Sequence, residues 1–139
     1  MIVAKKVILF SVFAVFMELL WGCASNSYLM EAQTIVATIN NEDVAESVRE
    51  VTDKTSVKKV DDIIQYANWE KSHVEMSRRE DYKFHIQYED ESNSETHLVW
   101  ISPKKNRIEI VVPNEKYVRL SAEDSRMVHE IITGAKLGE

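Results

Sequence analysis

The sequence predicts an α+β domain: an antiparallel β-sheet of about four to five strands with two amphipathic helices packed on one face. Three observations carry that prediction. Tyr82-Lys83-Phe84-His85-Ile86-Gln87-Tyr88 alternates polar and apolar residues without a break, the period of a half-buried strand. Further apolar runs follow it at hairpin spacing. Before and after these runs lie two segments whose apolar residues recur at helical spacing.

Along the chain, Thr34 to Ile39 is rich in β-branched residues and reads as a strand, ended by the turn Asn40-Asn41-Glu42-Asp43. Glu46 to Thr52 has an ambiguous spacing and reads as extended. Asp53 is suited to cap a helix from Lys54 to about Ala67. Val57, Val60, Ile64 and Ala67 fall on one face of it, widened by Ile63, while Lys58, Lys59, Asp61 and Asp62 lie mostly on the wet side. Asn68 to Glu80 has no period and reads as a connector, with Trp69, Val74 and Met76 available to dock it.

After the Tyr82–Tyr88 strand, Glu89 to Ser94 is a polar turn and Glu95 to Ser102 a second strand. A turn centred on Ser92-Asn93 brings Phe84 near Ile101 and Ile86 near Val99, with His85 across from Trp100 on the opposite face. Register of this kind is set by turn geometry as much as by pattern. Arg107 to Val112 and Lys116 to Leu120 complete an antiparallel meander. Ser121 with Asp124 three residues on is a capping-box variant. It opens a last helix with Met127, Val128, Ile131 and Ile132 as its stripe and Gly134 as its C-cap.

The chain has 139 residues and a net charge of −6. That length allows one domain behind a targeting segment, with 29–139 as the folded unit. Acidity disfavours phosphate-backbone binding, so no nucleic-acid partner is expected. There is one cysteine and therefore no internal disulfide. Three glycines, at 22, 134 and 138, exclude a phosphate-cradling loop.

Residues 1–22 place Lys5 and Lys6 before an apolar run from Val7 to Met17, interrupted only by Ser11. This is the charge-then-apolar order of a secretory signal. The run is short of the roughly 20 residues that span a bilayer. Extending it would bring Glu18 into the membrane at about 3 kcal/mol if it sat centrally. The run ends in Leu20-Trp21-Gly22-Cys23, which resembles the lipobox of bacterial lipoproteins. Leu20 and Gly22 fit that pattern. Trp21 stands where a small residue is usual, and Glu18 is unusually close. The expectation is a lipid on Cys23 and a short tether over residues 23–28, anchoring the domain on the outer face of the bacterial cytoplasmic membrane. Two acyl chains suffice for stable anchoring.

The order of signals over residues 51–133 resembles the YhfM-like domain of lipoproteins from Bacillus and related Firmicutes. The matching features are Val51-Thr52-Asp53, Asp81-Tyr82 opening the Tyr-x-Phe-x-Ile-x-Tyr strand, Leu98-Val99-Trp100-Ile101, and Tyr117-Val118-Arg119-Leu120-Ser121. The resemblance implies a Gram-positive surface lipoprotein and carries over no catalytic residue.

No constellation of residues dictates chemistry. His73, His85, His97 and His129 form no ligand pair at zinc spacing, and His85 and His97 point to opposite faces of the hairpin. Glu89, Asp90, Glu91 and Glu95 crowd one turn without the glycine of a calcium loop, which reads as a solvated tip. No Gly-x-Ser-x-Gly elbow occurs. Neither metal nor cofactor is expected. The predicted role is a non-catalytic binding module for a protein or envelope ligand, through an open sheet face lined by Trp100, His85, Lys83 and Gln87. The alternatives are a cell-envelope hydrolase using carboxylates or His85 and His97, and a regulatory or inhibitory partner of a membrane protein.

Overall fold

The alternation of the strands becomes one sheet with a dry face and a wetter one. The computed structural model describes residues 31–40, 47–89 and 94–139. Cys23, its lipobox, the tether, the turn at 41–43 and the tip at 90–93 lie outside them. The elements are β1 (Ala32–Ile39), β2 (Ser47–Val51), α1 (Lys54–Tyr66), β3 (Tyr82–Tyr88), β4 (Thr96–Ile101), β5 (Ile108–Val112), β6 (Lys116–Arg119) and α2 (Ala122–Thr133). All neighbouring strands are antiparallel, in the order β2-β1-β3-β4-β5-β6. The sheet thus has six strands rather than four to five. The addition is β2, where Ser47 to Glu50 are exposed, so that no buried face imprints a clean period on the sequence.

Ile35, Ala37, Tyr82, Phe84, Ile86, Val99, Ile108, Ile110 and Val118 point to one face and join Val57, Val60, Ile64, Val128 and Ile132 of the helices in a single core. Burying each valine, isoleucine or phenylalanine among them contributes roughly 1.5–3 kcal/mol. Both helices therefore lie on the same face. α1 begins as its sequence suggests, the Asp53 carboxylate accepting from Ser56 N at 2.9 Å. Its last turn leaves carbonyls without helical partners. Trp69 serves one of them, donating Nε1–H to Ile64 O at 2.7 Å. In α2, Ser121 Oγ accepts from Asp124 N at 3.0 Å, and Gly134 ends the helix in the left-handed region at φ 76°. Ser125, fully buried, accepts from Ile108 N at 3.0 Å and ties α2 to the start of β5.

Two expectations need correction. Phe84 pairs with His97 and Tyr82 with Val99, and His85 faces Thr96 rather than Trp100. The hairpin is offset by four residues from the expected register. An even offset keeps every side chain on its face, so hydrophobic alternation cannot detect it. Asp81 fixes the observed pairing: its N–H donates to Val99 O at 2.8 Å and its carboxylate accepts from Ile101 N at 2.6 Å. Asp61, assigned to the wet side of α1, is buried with Val57, Val60 and Ile64.

The connector between α1 and β3 is the other departure from a simple two-layer design. Trp69 packs on the helix side, and Glu70 then exchanges two backbone hydrogen bonds with Tyr117 of the edge strand β6, at 2.8 and 2.9 Å. By Arg78 the chain has reached the opposite face, where its carbonyl accepts from Trp100 Nε1 at 2.9 Å. The connector therefore wraps the β6 edge and returns across the far face.

Candidate binding face

Which part of the far face stays open follows from that path. Trp100 and Val111 point to this face, yet both are buried, Trp100 to 7 % exposure. An indole N–H out of water needs a partner, and Arg78 O supplies it. Arg78 is itself fixed by a two-pronged ion pair with Asp81, both contacts 2.8 Å, and donates to Ile101 O at 2.9 Å. Over β4 and β5 the face is thus roofed by the connector.

Over β2, β1 and β3 the side chains stand in rows across the strands. One row runs Val48, Thr38, Lys83 and Leu98; the next runs Glu50, Val36, His85 and Thr96; Thr34 pairs with Gln87 beyond them. Strands lie about 4.8 Å apart, so each row forms a continuous strip. Val48 is 71 % exposed, Gln87 is exposed, and Val36, Thr38, Lys83 and His85 are half-buried. Lys83, His85 and Gln87 therefore share this open surface. Trp100 lies on the same face but under the connector, so its ring is not part of the surface. Four residues of strand separate it from the position opposite His85, about 13 Å.

The other histidines and carboxylates are dispersed. His97 is on the dry face, back to back with the side on which His85 stands. His97 Nε2 is 3.9 Å from Glu95 Oε2, beyond hydrogen-bond reach, while Lys116 holds Glu95 at 2.8 Å. Asp61 accepts from Tyr88 OH at 2.6 Å and from Gln65 at 3.0 Å, and borders a cleft with Glu31, Lys54, Lys58 and Tyr66. Burial and the Asp61 charge both push the Tyr88 phenol above its ordinary range. Among the described residues, no three His, Cys, Asp or Glu side chains are grouped to hold a metal ion, and no helix is long and apolar enough to cross a membrane.

Sequence reasoning missed the burial of Asp61 and the partner of His97, though it set His97 on the face opposite His85. Asp61 was within reach, because 57, 60, 61 and 64 together make the usual helical stripe. The pairing of His97 with Phe84 had no such signal, since it depends on the hairpin register.

Comparison with known proteins places this architecture. Residues 30–137 match the family model described as "YhfM protein". No curated protein matches the chain. Among solved structures, a thioesterase-like protein from Clostridium sporogenes ATCC 15579 is similar with a TM-score of 0.54 and 14 % identity, covering 75 % of this chain and 96 % of that one. At that identity the likeness is one of fold.

Proposed function

Given that this chain belongs to the YhfM protein family, we propose that it is a membrane-anchored extracytoplasmic lipoprotein that binds a protein or envelope ligand through its open sheet face. Cys23, the sole thiol, follows an export-type apolar run and is the acyl acceptor in this reading. Residues 24–30 then separate the anchor from Glu31, at most about 25 Å of extended chain. The observation that carries the binding role is the strip of Val48, Thr38, Lys83 and Val36, Glu50, His85, over which no described element packs, on a sheet whose other face is filled. Such a surface offers β-branched contact area with charge at its margins, the mixture found at non-obligate interfaces.

Two measurements test this reading. Mass spectrometry of membrane-fractionated protein should find a diacylated N-terminal Cys23, and Cys23→Ala should release the domain to the soluble fraction; unlipidated, soluble wild-type protein overturns the anchor. A photo-cross-linker at position 85 should yield a discrete adduct in cells that the same group at Lys59 on α1 does not. The thioesterase-like neighbour supplies an enzymatic alternative, in which Asp61 beside its cleft is the carboxylate to watch. Acyl-thioester hydrolysis by the purified chain, lost in Asp61→Asn, would replace the binding reading.

A further inference from the structure

A second cleft, of about 290 Å³, opens at the end of the sheet opposite the start of β1. It lies between the β4–β5 turn, α2 and residues 136–139, and its ionisable walls are Arg78, Asp81, Lys105, His129, Lys136 and Glu139. The acidic groups are already engaged. Asp81 accepts two hydrogen bonds from Arg78 and one from Ile101 N. Glu139 is 3.3 Å from Lys136 Nζ. Lys105 makes no ion pair among the described residues, and its backbone is held at φ 52° in the turn. Among its side chains, Arg78, Lys105 and Lys136 outnumber Asp81 and Glu139 by one charge, and Lys105 is the cation left without an acidic partner among the described residues, in a chain that is acidic overall.

His129 adds a directed donor. Its Nδ1 lies 3.3 Å from Tyr82 OH. Tyr82 is buried, and burial pushes its phenol far above its ordinary range, so it stays protonated. A buried hydroxyl must place its proton on an acceptor, and among the described residues His129 Nδ1 is the partner it has. Accepting there, the neutral imidazole carries its own proton on Nε2. Burial holds the His129 imidazole toward the neutral form. With Nδ1 turned to Tyr82, Nε2–H is the donor left for the cleft that His129 lines.

We propose that this cleft is a binding site for a small oxyanion, the carboxylate or phosphate group of a larger ligand, held by Lys105, Lys136 and His129 Nε2–H. The site stands apart from the open sheet face and does not depend on lipidation of Cys23. It is tested on the full-length ¹⁵N-labelled chain in non-ionic detergent at pH 7. The histidine ring resonances are followed while sodium phosphate or, in parallel, sodium acetate replaces chloride at constant ionic strength. The expected result is an Nε2–H tautomer for His129 before addition, and a saturable shift of that ring with at least one of the two anions. Which anion saturates at lower concentration identifies the phosphoryl or the carboxylate source. Lys105→Ala with Lys136→Ala should raise the midpoint about tenfold, the loss expected for two exposed charges acting together. An Nδ1–H tautomer, no saturation with either anion, or a double variant that titrates like the wild type overturns the proposal.

Discussion

The imidazole of His97 lies flat against the ring of Phe84, their centroids 4.8 Å apart and their planes 10° from parallel. Trp69 closes a further side at 6.2 Å, and Lys116, paired with Glu95, sits 5.0 Å over the Trp69 ring. Both nitrogens of His97 are buried without a hydrogen-bond partner among the described residues. Burial pushes its pKa down to about 4; Glu95 opposes the shift and Lys116 adds to it.

That depression makes stability depend on acid. An unfolded histidine titrates near 6.5. Above that pH both states are neutral at His97, and the group contributes no pH dependence. Between 6.5 and about 4 the unfolded chain takes up a proton that the folded chain refuses, so stability falls by about 1.4 kcal/mol per pH unit. The total loss is about 3 kcal/mol and is complete below the folded pKa. His129, also depressed by burial, acts in the same direction. Urea unfolding of wild type and His97→Leu at pH 7, 5.5 and 4.5 separates the two. The wild type should lose more stability than the variant across this window. At pH 7 the variant should be equal or better, since it removes two unpaired polar atoms. Parallel pH profiles would count against the assignment.

Tyr88 and Asp61 make the opposite arrangement, a buried charge that is paired. Tyr88→Phe removes the 2.6 Å donor and leaves the carboxylate to Gln65 alone. A cost of about 1–3 kcal/mol is expected in urea unfolding. A change below about 0.5 kcal/mol would show that water replaces the phenol.

These two pairs also show what the sequence disclosed. Strand β3 was legible to the residue, because Tyr82, Phe84 and Ile86 alternate with polar neighbours. Both helix starts were legible from Asp53 and Ser121, and the end of α2 from Gly134. The His97–Phe84 stack was not, since it rests on a register that pattern leaves free in steps of two. The open face was half legible. Periodicity assigned Lys83, His85, Gln87 and Trp100 to one side, but the roof over Trp100 comes from an aperiodic connector held by backbone bonds to Tyr117 and an indole bond to Arg78. Neither bond leaves a mark on composition.

Gly134 offers a test of backbone conformation separated from side-chain crowding. Its φ of 76° is one that L-residues rarely adopt, and a Cβ there would meet the guanidinium of Arg49. Gly134→Ala should cost about 1–2 kcal/mol from the left-handed backbone. Arg49 is flexible at its far end, so its displacement adds little. In an Arg49→Ala background most of the penalty should therefore persist. Full relief of the penalty in that background would assign it to the contact instead.

The proposed binding role makes its own demand on Lys83 and His85. Both sit on the central strand β3 with Thr38 and Val36 beside them, and neither belongs to the core. Placing negative charge there, in Lys83→Glu with His85→Glu, should alter stability by no more than about 1 kcal/mol, the range of strand preference at a half-exposed site. A ligand seated across these rows meets two new negative charges and should lose its photo-adduct from a reporter at Val48, which lies in the same row as Lys83. Lys59→Glu on α1, outside the face, should leave that adduct intact. An adduct unchanged in the β3 double variant, in a chain that still unfolds at the wild-type urea midpoint, would move the ligand off this face.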